Sequence, residues 1–282
     1  MKFRRPVNSP AYRAVVRNSF RLRRAIGNVI PDAAAARARA ALGLMALRTI
    51  ELDRLELIRT AALDDLRDAA FLERELLPAL GLSDDALEVY PEYLRPYAGQ
   101  GLRHWQYPSQ FAPYLAHLAR YKISSYVEIG VQHGGTFAIT VEYLQRFNAL
   151  EAAFAVDVNR VPSLKQYAKR NPVVRVMRED SSTEHFRNFV RRNAPFGLVL
   201  IDGDHSERGC RTDFETVAKH AGMIAFHDIS DGYYADVGKV WRDVKQQARE
   251  NFEFYEFIDQ YPEVQARIAS PCLGIGLAVA KS

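Results

Sequence analysis

The chain has 282 residues, of which 48% are hydrophobic and 26% are charged. This composition is typical of a folded globular protein with a large core. The two cysteines, Cys210 and Cys272, show no CxxC spacing, which excludes a disulfide framework and a cysteine zinc site. The N-terminus lacks the apolar core of a signal peptide and no apolar run is long enough to span a membrane, so we predict a cytoplasmic protein, at most peripheral to a membrane.

The formal charge of +4 is unevenly distributed along the chain. Residues 1–30 contain eight basic side chains and no acid, which leaves about −4 for the remainder. Clustered positive charge attracts anionic surfaces over long distances. This basic arm is therefore either a solvated terminus or a segment that touches an anionic surface. Peripheral membrane contact is the functional alternative that we retain, and nucleic acid is not predicted as a partner.

Residues 31–100 are predicted to form a helical N-terminal region. The stretch from Pro31 to about Leu80 is rich in Ala, Leu, Arg and Glu, with Pro31 and Asp32 suited to a helix start and Gly81 to a stop. Its apolar side chains are spaced by three and four residues, as in Leu44, Leu47, Ile50, Leu52, Leu55 and Ile58. Such a stripe packs either on the following domain, as a lid, or on a second chain, which predicts a homo-oligomer.

An aromatic bridge spans residues 82–121. Four prolines interrupt it, and we expect them to break long helices: Pro91, Pro96, Pro108 and Pro113. Its aromatic side chains either line a substrate pocket or pack between the two regions: Tyr93, Tyr97, Trp105 and Tyr107.

Beyond Ser124, short apolar runs alternate with segments of helical length. The runs are SYVEI, AFAVD, VVRVM, LVLI, MIAF, FEFYEFI and LGIGLAVA. This alternation predicts an α/β fold with a doubly wound, Rossmann-like, mainly parallel seven-stranded sheet, in a domain that spans residues 101–282. The last two runs are joined without a clear helix and predict an antiparallel C-terminal edge hairpin. Ligands of such a sheet bind at the carboxyl ends of the strands, near the switch in strand order.

A glycine-rich loop, EIGVQHGGT from Glu128 to Thr136, follows the first predicted strand and precedes a helix. Gly130 permits a tight turn, Gly134 and Gly135 allow close approach of a ligand, and the helix start offers free N–H groups. Gln132 stands where a dinucleotide loop has its second glycine, which disfavours NAD. A plain strand-to-helix turn is the alternative.

Acidic residues also follow the second and third predicted strands. Asp157 is placed to accept hydrogen bonds from the hydroxyls of a ribose, or is a surface turn residue. Asp180 and Ser181 either contact an adenine edge or cap the next helix. Together with the glycine loop, these positions predict a nucleoside-bearing ligand across the top of the sheet.

The fourth and fifth predicted strands end in acids and histidines. Asp202, Asp204 and His205 follow one strand, and His227 and Asp228 follow the other. Because adjacent strands lie about 5 Å apart, these groups converge. We predict that Asp202, His227 and Asp228 hold Mg²⁺ or, because of the imidazole, Mn²⁺. The alternative is a set of turn and capping residues, a role that we assign to Asp204 in either case.

In their order and spacing, YVEIGVQHGGT, AFAVDVN, MREDSS, FGLVLIDGDHSERG and GMIAFHDI resemble class I S-adenosylmethionine-dependent methyltransferases. The closer resemblance is to the cation-dependent O-methyltransferases, both the catechol type and the macrocin or cephalosporin-hydroxylase-like group, over residues 100–280. It implies a cofactor site for S-adenosylmethionine made of Glu128, Gly130, Gly134, Thr136, Asp157, Asp180, Ser181 and Asp202. The resemblance implies that Glu128, Gly130 and Gly134 frame the methionine portion of the cofactor. It also implies that Asp157 binds the ribose and that Asp180 and Ser181 flank the adenine.

Two positions depart from the catechol-type pattern. That pattern has Asp then Asn after the fifth strand, where this chain has His227 and Asp228. It also has a lysine as catalytic base three residues beyond the first metal-binding acid, where this chain has His205. An imidazole can accept a proton at neutral pH, so His205 is the predicted base and Asp202 its catalytic partner.

The predicted function is methyl transfer to a hydroxyl of a sugar, a glycan or a glycosylated natural product, with a small phenol as the second acceptor class. Two alternatives remain open at this stage. One is an NAD-type Rossmann oxidoreductase that uses Asp157 for the ribose. The other is a non-catalytic nucleoside-fold binding protein that is recruited through its basic arm.

Overall fold

The computed structural model describes residues 47–85, 87–232, 234–268 and 270–281. The basic arm and the start of the predicted helical region, residues 1–46, lie outside the described residues. From Arg48 onward the chain forms one structural unit. Within the described ranges, no helix has both the length and the apolar character needed to cross a membrane.

A seven-stranded sheet lies at the centre of this unit. Its strands are β1 Ser125–Ile129, β2 Ala152–Asp157, β3 Val174–Arg178, β4 Phe196–Ile201, β5 Ala221–His227, β6 Phe252–Phe257 and β7 Ile275–Ala280. Their spatial order is β3-β2-β1-β4-β5-β7-β6. The chain builds outward from β1 to β3 and then returns to β4 on the other side of β1, so the switch in strand order falls between β1 and β4. The predicted α/β fold is confirmed.

Helices connect the strands and cover the sheet. They are α1 Glu56–Thr60, α2 Leu63–Arg67, α3 Ala69–Phe71, α4 Leu77–Leu80, α5 Pro108–Leu118, α6 Gly135–Phe147, α7 Pro162–Arg170, α8 Glu184–Asn193, α9 Glu207–Val217, α10 Ala235–Gln247 and α11 Pro262–Ile268. Hydroxyl side chains cap two of the helix starts: Thr183 accepts a bond from the N–H of Phe186 in α8, and Ser206 accepts one from Gly209 in α9, both at 3.1 Å.

The C-terminal hairpin is present, with two features that the sequence did not indicate. Strand β7 lies between β5 and β6 and runs antiparallel to both, so β6 runs in the direction of β1 to β5. The connection between β6 and β7 contains the short helix α11, where we expected no clear helix. Pro262 at its first position fits a helix start, because proline has the required φ and needs no N–H there.

The prediction of one long helix up to residue 80 is wrong for residues 47–80, the part of this segment that the structure describes. The chain forms a 3₁₀ turn at Leu52–Leu55, then α1 to α4, with a π-helical turn at Leu72–Leu76 between α3 and α4. Breaks occur at Ala61 and Ala62, which are extended, and at Asp68, whose carboxylate caps α3 through the N–H of Ala70 at 2.8 Å. Local capping therefore competes successfully with helix propensity.

The apolar stripe of this segment packs within the chain. Its buried members are Ile50, Leu52, Leu55 and Ile58. The contact with α6 is reinforced by Arg59, whose guanidinium binds both oxygens of the buried Glu142 at 2.6 and 2.9 Å. Arg146 on α6 donates in return to the carbonyls of Ile58 and Ala61 at the end of α1. Residues 48–60 thus cover the sheet domain, and pairing with a second chain stays a prediction.

The aromatic bridge mainly supplies packing. Tyr107 is buried and donates to the carbonyl of Val89, and Trp105 donates to Asp85 at 3.3 Å. Tyr93 is 60% exposed and meets the ring of Tyr261 edge-on. Tyr97, also on the surface, is 39% exposed.

Two of the four prolines in this bridge lie in the helix α5, although we expected the prolines to break long helices. Pro108 begins α5, where its missing N–H costs nothing. Pro113 lies inside the same helix and interrupts one of its backbone hydrogen bonds.

His104, in the same segment, gives the fold a pH-dependent stability. It is fully buried, and its Nε2–H donates to the carbonyl of Leu77 at 3.1 Å. Burial lowers the pKa of His104 from 6.5 to about 4. Between these values the unfolded chain binds the proton and the folded chain does not, so stability is lost as the pH falls from about 6.5 towards 4.

We expect this loss to be about 3 kcal/mol for His104, from its shifted pKa. Urea unfolding between pH 7.5 and 4.5 would measure it, in the wild type and in His104→Phe. The variant cannot bind this proton, so its stability should fall less with pH, whatever its stability at pH 7.5. Equal pH dependence in both proteins would contradict the assignment.

Candidate active site

The glycine loop lies at the switch point between β1 and β4. Gly130 has φ +87°, and a Cβ at this position would be 2.1 Å from the carbonyl oxygen of Asp202. The loops that follow β1 and β4 are therefore in backbone contact. Only glycine permits both this φ and this approach, which confirms why the sequence has Gly130 directly after the strand.

Two further glycines shape the start of α6. Gly134 has φ +94° at the N-cap, and a Cβ on Gly135 would be 1.9 Å from the carbonyl oxygen of Leu102. Thr136 follows in the first helical turn and is buried. The first N–H groups of a helix lack intrahelical partners, so this turn presents donors at the carboxyl edge of the sheet, beside the segment around Leu102.

Asp157, at the end of β2, holds the glycine loop. One oxygen accepts bonds from the N–H groups of Val131 and Gln132 at 3.1 and 3.0 Å, and the other accepts from the backbone and side-chain nitrogens of Asn159 at 2.7 and 3.1 Å. Burial raises the pKa of Asp157 although these bonds lower it. A carboxylate has about four acceptor positions, so binding a ribose requires one donor to be displaced. The ribose role stays a prediction.

Glu128, at the end of β1, is almost completely buried. The hydroxyl of Tyr126 donates to its Oε2 at 2.5 Å, and its Oε1 has no hydrogen-bond partner among the described residues. Burial raises the pKa of Glu128 well above its usual range. A buried carboxyl oxygen without a partner at a strand end indicates a place for a polar ligand group.

Gln106 is a second buried polar group, and the sequence did not single it out. Both atoms of its amide lack a hydrogen-bond partner within the described part of the chain. Leu102, four residues before it, contacts Gly135 of the glycine loop, and Gln110, four residues after it, accepts a bond from Gly274 beside β7 at 2.9 Å. A glutamine between two aromatic residues gives no sequence signal, because only its burial marks it as unusual.

Asp180 and Ser181 follow β3 in a tight turn. Asp180 accepts bonds from the N–H and hydroxyl of Ser182 at 2.9 and 2.6 Å, while Thr183 caps α8. Burial raises the pKa of Asp213 on α9 to about 7, although the side chain of Ser181 acts to lower it. The turn is thus explained by local bonding, and contact with an adenine stays a prediction for both residues.

The acids and histidines after β4 and β5 come together as predicted. Asp202, His227 and Asp228 can offer ligand atoms that all lie within 4.8 Å of one another. Nδ1 of His227 is 3.1 Å from Oδ1 of Asp202 and 3.3 Å from Oδ1 of Asp228. The positive φ of Asp228, 64°, turns the chain sharply after β5, a conformation that aspartate tolerates better than most residues.

The charges of this cluster are strongly coupled. Burial lowers the pKa of His227, but the carboxylates of Asp202 and Asp228 outweigh this effect and raise that pKa to about 9. In Asp202 the effect of burial is outweighed by the two histidines, which lower its pKa. The buried Nε2 of His227 and Oδ1 of Asp228 have no hydrogen-bond partner within the described ranges. Two carboxylates and an imidazole that has given up its proton form a donor set suited to a divalent cation of the Mg²⁺ or Mn²⁺ type.

His205 lies at the edge of this cluster. Its Nε2 is 3.0 Å from Oδ1 of Asp202 and 3.3 Å from Oδ2 of Asp228, and its ring packs on Tyr234 with centroids 4.2 Å apart. Burial alone would lower the pKa of His205. The two carboxylates raise it by more than burial lowers it, so the pKa of His205 lies above its ordinary value. His205 is therefore placed to exchange a proton beside the three ligand candidates.

Asp204, the remaining member of this stretch, has the structural role that we predicted. Its carboxylate accepts a bond from the N–H of Ser206 at 3.0 Å, at the start of α9. It also packs directly against Gly209, where a Cβ would be 2.3 Å from its Cγ.

These observations define an α/β domain with two adjoining polar sites at the carboxyl edge of a doubly wound sheet. The glycine loop forms one site and the carboxylate–imidazole cluster the other. Residues 127–229, which contain nearly all of both, match a family model described as a methyltransferase domain. This segment of the chain is thus similar to methyltransferase domains. No curated protein matches the sequence significantly.

Several solved structures are similar in fold. A Staphylococcus aureus protein assigned as a caffeoyl-CoA O-methyltransferase has 11% sequence identity and a TM-score of 0.45, covering 61% of this chain and 82% of its own. MycE methyltransferase from the mycinamycin biosynthetic pathway, in complex with Mg and S-adenosylhomocysteine, has 16% identity and a TM-score of 0.43, covering 70% and 54%. Mycoplasma capricolum TrmK with S-adenosylhomocysteine has 13% identity and a TM-score of 0.42, covering 60% and 68%.

Proposed function

We propose that this chain is an S-adenosylmethionine-dependent O-methyltransferase assisted by a divalent cation. The observation that carries the proposal is the contact between the two polar sites. The loop after β1 touches the backbone of Asp202 at Gly130, so a ligand on the glycine loop adjoins a ligand on the carboxylate–imidazole cluster. A methyl donor and an acceptor hydroxyl need this adjacency, because the transfer requires oxygen, carbon and sulfur to be aligned.

The glycine loop and the buried polar groups beside it are the proposed cofactor site. S-adenosylmethionine would supply the methyl group as an electrophile on a positively charged sulfur. Oε1 of Glu128 and the amide of Gln106 are available for the amino-acid portion, since both are buried without partners among the described residues. Asp157, Asp180 and Ser181 are the proposed contacts of the ribose and the adenine.

Asp202, His227 and Asp228 are the proposed cation ligands. A divalent cation there supplies Lewis-acid stabilisation of negative charge on the acceptor oxygen. His227 must give up its proton before its nitrogen can serve as a ligand, because the neutral imidazole is the binding form. Mg²⁺ and Mn²⁺ are the two cations that this donor set favours.

His205 is the proposed base. It takes the proton of the acceptor hydroxyl on Nδ1, because Nε2 carries the hydrogen that faces the carboxylates of Asp202 and Asp228. The O–H bond breaks as the new O–CH₃ bond forms and the S–CH₃ bond breaks, which leaves neutral S-adenosylhomocysteine and an imidazolium. Asp202 and Asp228 stabilise that imidazolium by their negative charge.

The acceptor is proposed to be a hydroxyl of a sugar, a glycan or a glycosylated natural product, with a small phenol as the second class. Homo-oligomerisation through the N-terminal region and membrane contact through the basic arm remain proposals of the same kind. In the aromatic bridge, Trp105 and Tyr107 are not proposed as acceptor contacts, because they donate hydrogen bonds to Asp85 and to the carbonyl of Val89.

Binding and turnover together test this proposal. Calorimetry should show binding of S-adenosylhomocysteine and not of NAD, for which Gln132 replaces the required glycine. A screen for methyl transfer to sugar, polyketide-glycoside and catechol acceptors, with Mg²⁺, Mn²⁺ or EDTA, should show cation-dependent product. Preferential binding of NAD would favour an oxidoreductase. Cofactor binding without turnover on any acceptor would favour a binding protein.

A further inference from the structure

The glycine loop contains a buried histidine that the proposed reaction does not use. Nε2 of His133 is 2.8 Å from Oδ2 of Asp85, and both side chains are almost fully buried, at 1% and 6% exposure. Asp85 belongs to the segment that precedes the sheet domain. We infer that His133 and Asp85 form a positioning pair by which the N-terminal segment holds the glycine loop in the shape that binds the cofactor. The inference rests on the proposed function, because it names a determinant of that same site.

The hydrogen bonds of His133 define its protonation state. Its Nδ1 accepts a bond from the backbone N–H of Arg48 at 3.2 Å, so this nitrogen carries no proton. Its Nε2 therefore carries the hydrogen and donates to Asp85. His133 is thus a neutral imidazole with both nitrogens engaged by the N-terminal segment, and it has no capacity left to act on a substrate.

Asp85 is held in turn by its own segment. Its Oδ2 accepts bonds from the hydroxyl of Ser83 at 3.0 Å and from the indole N–H of Trp105 at 3.3 Å, in addition to His133. Three donors, from Ser83, Trp105 and His133, converge on one oxygen of this carboxylate. A buried carboxylate with this many partners has a fixed orientation, and it fixes the orientation of its donors.

The loop is consequently held from two sides. Asp157 binds the N–H groups of Val131 and Gln132 from the β2 side, and the next residue, His133, is bound by Arg48 and Asp85 from the other side. The backbone that offers N–H groups to a ligand is thus ordered before the ligand arrives. Ordering a loop in advance removes part of the entropic cost of binding.

Asp84 provides a matched control for this role. It neighbours Asp85 and forms ion pairs with Arg48 at 2.5 Å and Arg103 at 2.8 Å. No hydrogen bond joins it to the glycine loop within the described residues. Removing Asp84 therefore takes away a partner of the Arg48 side chain and removes neither hydrogen bond of His133, to the backbone N–H of Arg48 or to Asp85.

The test compares His133→Ala, Asp85→Asn and Asp84→Ala in the full chain. Calorimetry with S-adenosylhomocysteine should show affinity reduced by about 10-fold to 100-fold in the first two variants, the range for losing a buried hydrogen bond to a charged group. Asp84→Ala should stay within about threefold of the wild type. At saturating cofactor, turnover by His133→Ala should also stay within about threefold, because the pair positions the loop and does not touch the reacting atoms.

A second measurement covers the case in which no ligand binds. Amide hydrogen exchange at Val131 and Gln132 should be at least tenfold faster in His133→Ala than in the wild type and unchanged in Asp84→Ala, with folding checked by circular dichroism. Failure of the wild type to bind S-adenosylhomocysteine would defeat the proposed function, while this exchange pattern would still support the positioning pair. Equal exchange in all variants, equal affinity in all variants, or an equal loss in Asp84→Ala would overturn the inference.

Discussion

Asp202→Asn should reduce methyl transfer on the order of 10³-fold at saturating cofactor and acceptor. A single oxygen of Asp202, Oδ1, contacts both histidines, at 3.0 Å from Nε2 of His205 and 3.1 Å from Nδ1 of His227. An amide in its place carries no negative charge, so it would weaken the cation site and remove the charged oxygen that both imidazoles share. Turnover measured over a Mn²⁺ titration gives the loss of methyl transfer. Calorimetry with Mn²⁺ gives the loss of cation affinity separately.

Asp204→Asn is the control for this substitution. Asp204 lies two residues away and has the same charge, but its carboxylate contacts the start of α9. Its variant should keep both cation affinity and turnover within a few-fold of the wild type. The metal assignment would fail if Asp202→Asn retained full, EDTA-resistant methyl transfer.

His205→Gln should lower turnover by about 10² to 10⁴-fold, the usual contribution of a general base. The reason is positional: Nε2 of His205 faces the carboxylates at the cluster edge, while the three ligand candidates gather without it. Glutamine fills a similar volume and can donate a hydrogen bond to Asp202, but it cannot take a proton. Single-turnover measurements of methyl transfer would isolate this chemical step.

His227→Gln distinguishes the two histidines. If His205 is the base and His227 a ligand, cation affinity should stay within about threefold in His205→Gln and fall at least tenfold in His227→Gln. Both variants replace a buried imidazole by an amide of similar size, so their effects on folding should be comparable. An equal loss of cation affinity in the two variants would assign His205 to the cation site and remove the proposed base.

The sheet and the metal candidates could be predicted from the sequence because their signals are local. Each of β1 to β5 is a short apolar run, and the chemistry-bearing residues directly follow it, as Asp202 follows β4 and His227 ends β5. Parallel strands bring such residues to one edge, so sequence position alone predicted that they meet. The glycine loop was predictable for the same reason, since Gly130 is needed at one defined backbone turn.

Features that depend on tertiary contacts were not predictable in this way. The expected long helix is interrupted at Ala61 and at Asp68, because capping and packing on α6 outweigh propensity. Gln106 and His133 look like ordinary polar residues until their burial is known. The position of β7 between β5 and β6 depends on which strands pair, and apolar runs carry no information on pairing partners.

The placement of β7 also has a consequence for the order of folding. Strand β6 pairs with the sheet only through β7, and His227 lies opposite Ile275 in the β5–β7 ladder. Pairing of strands that are distant in sequence forms slowly, and here β6 cannot join the sheet until β7 has reached β5. We therefore expect β1 to β5 to assemble first and the edge beside His227 to close last, so that cation-binding competence appears only in the final phase of refolding.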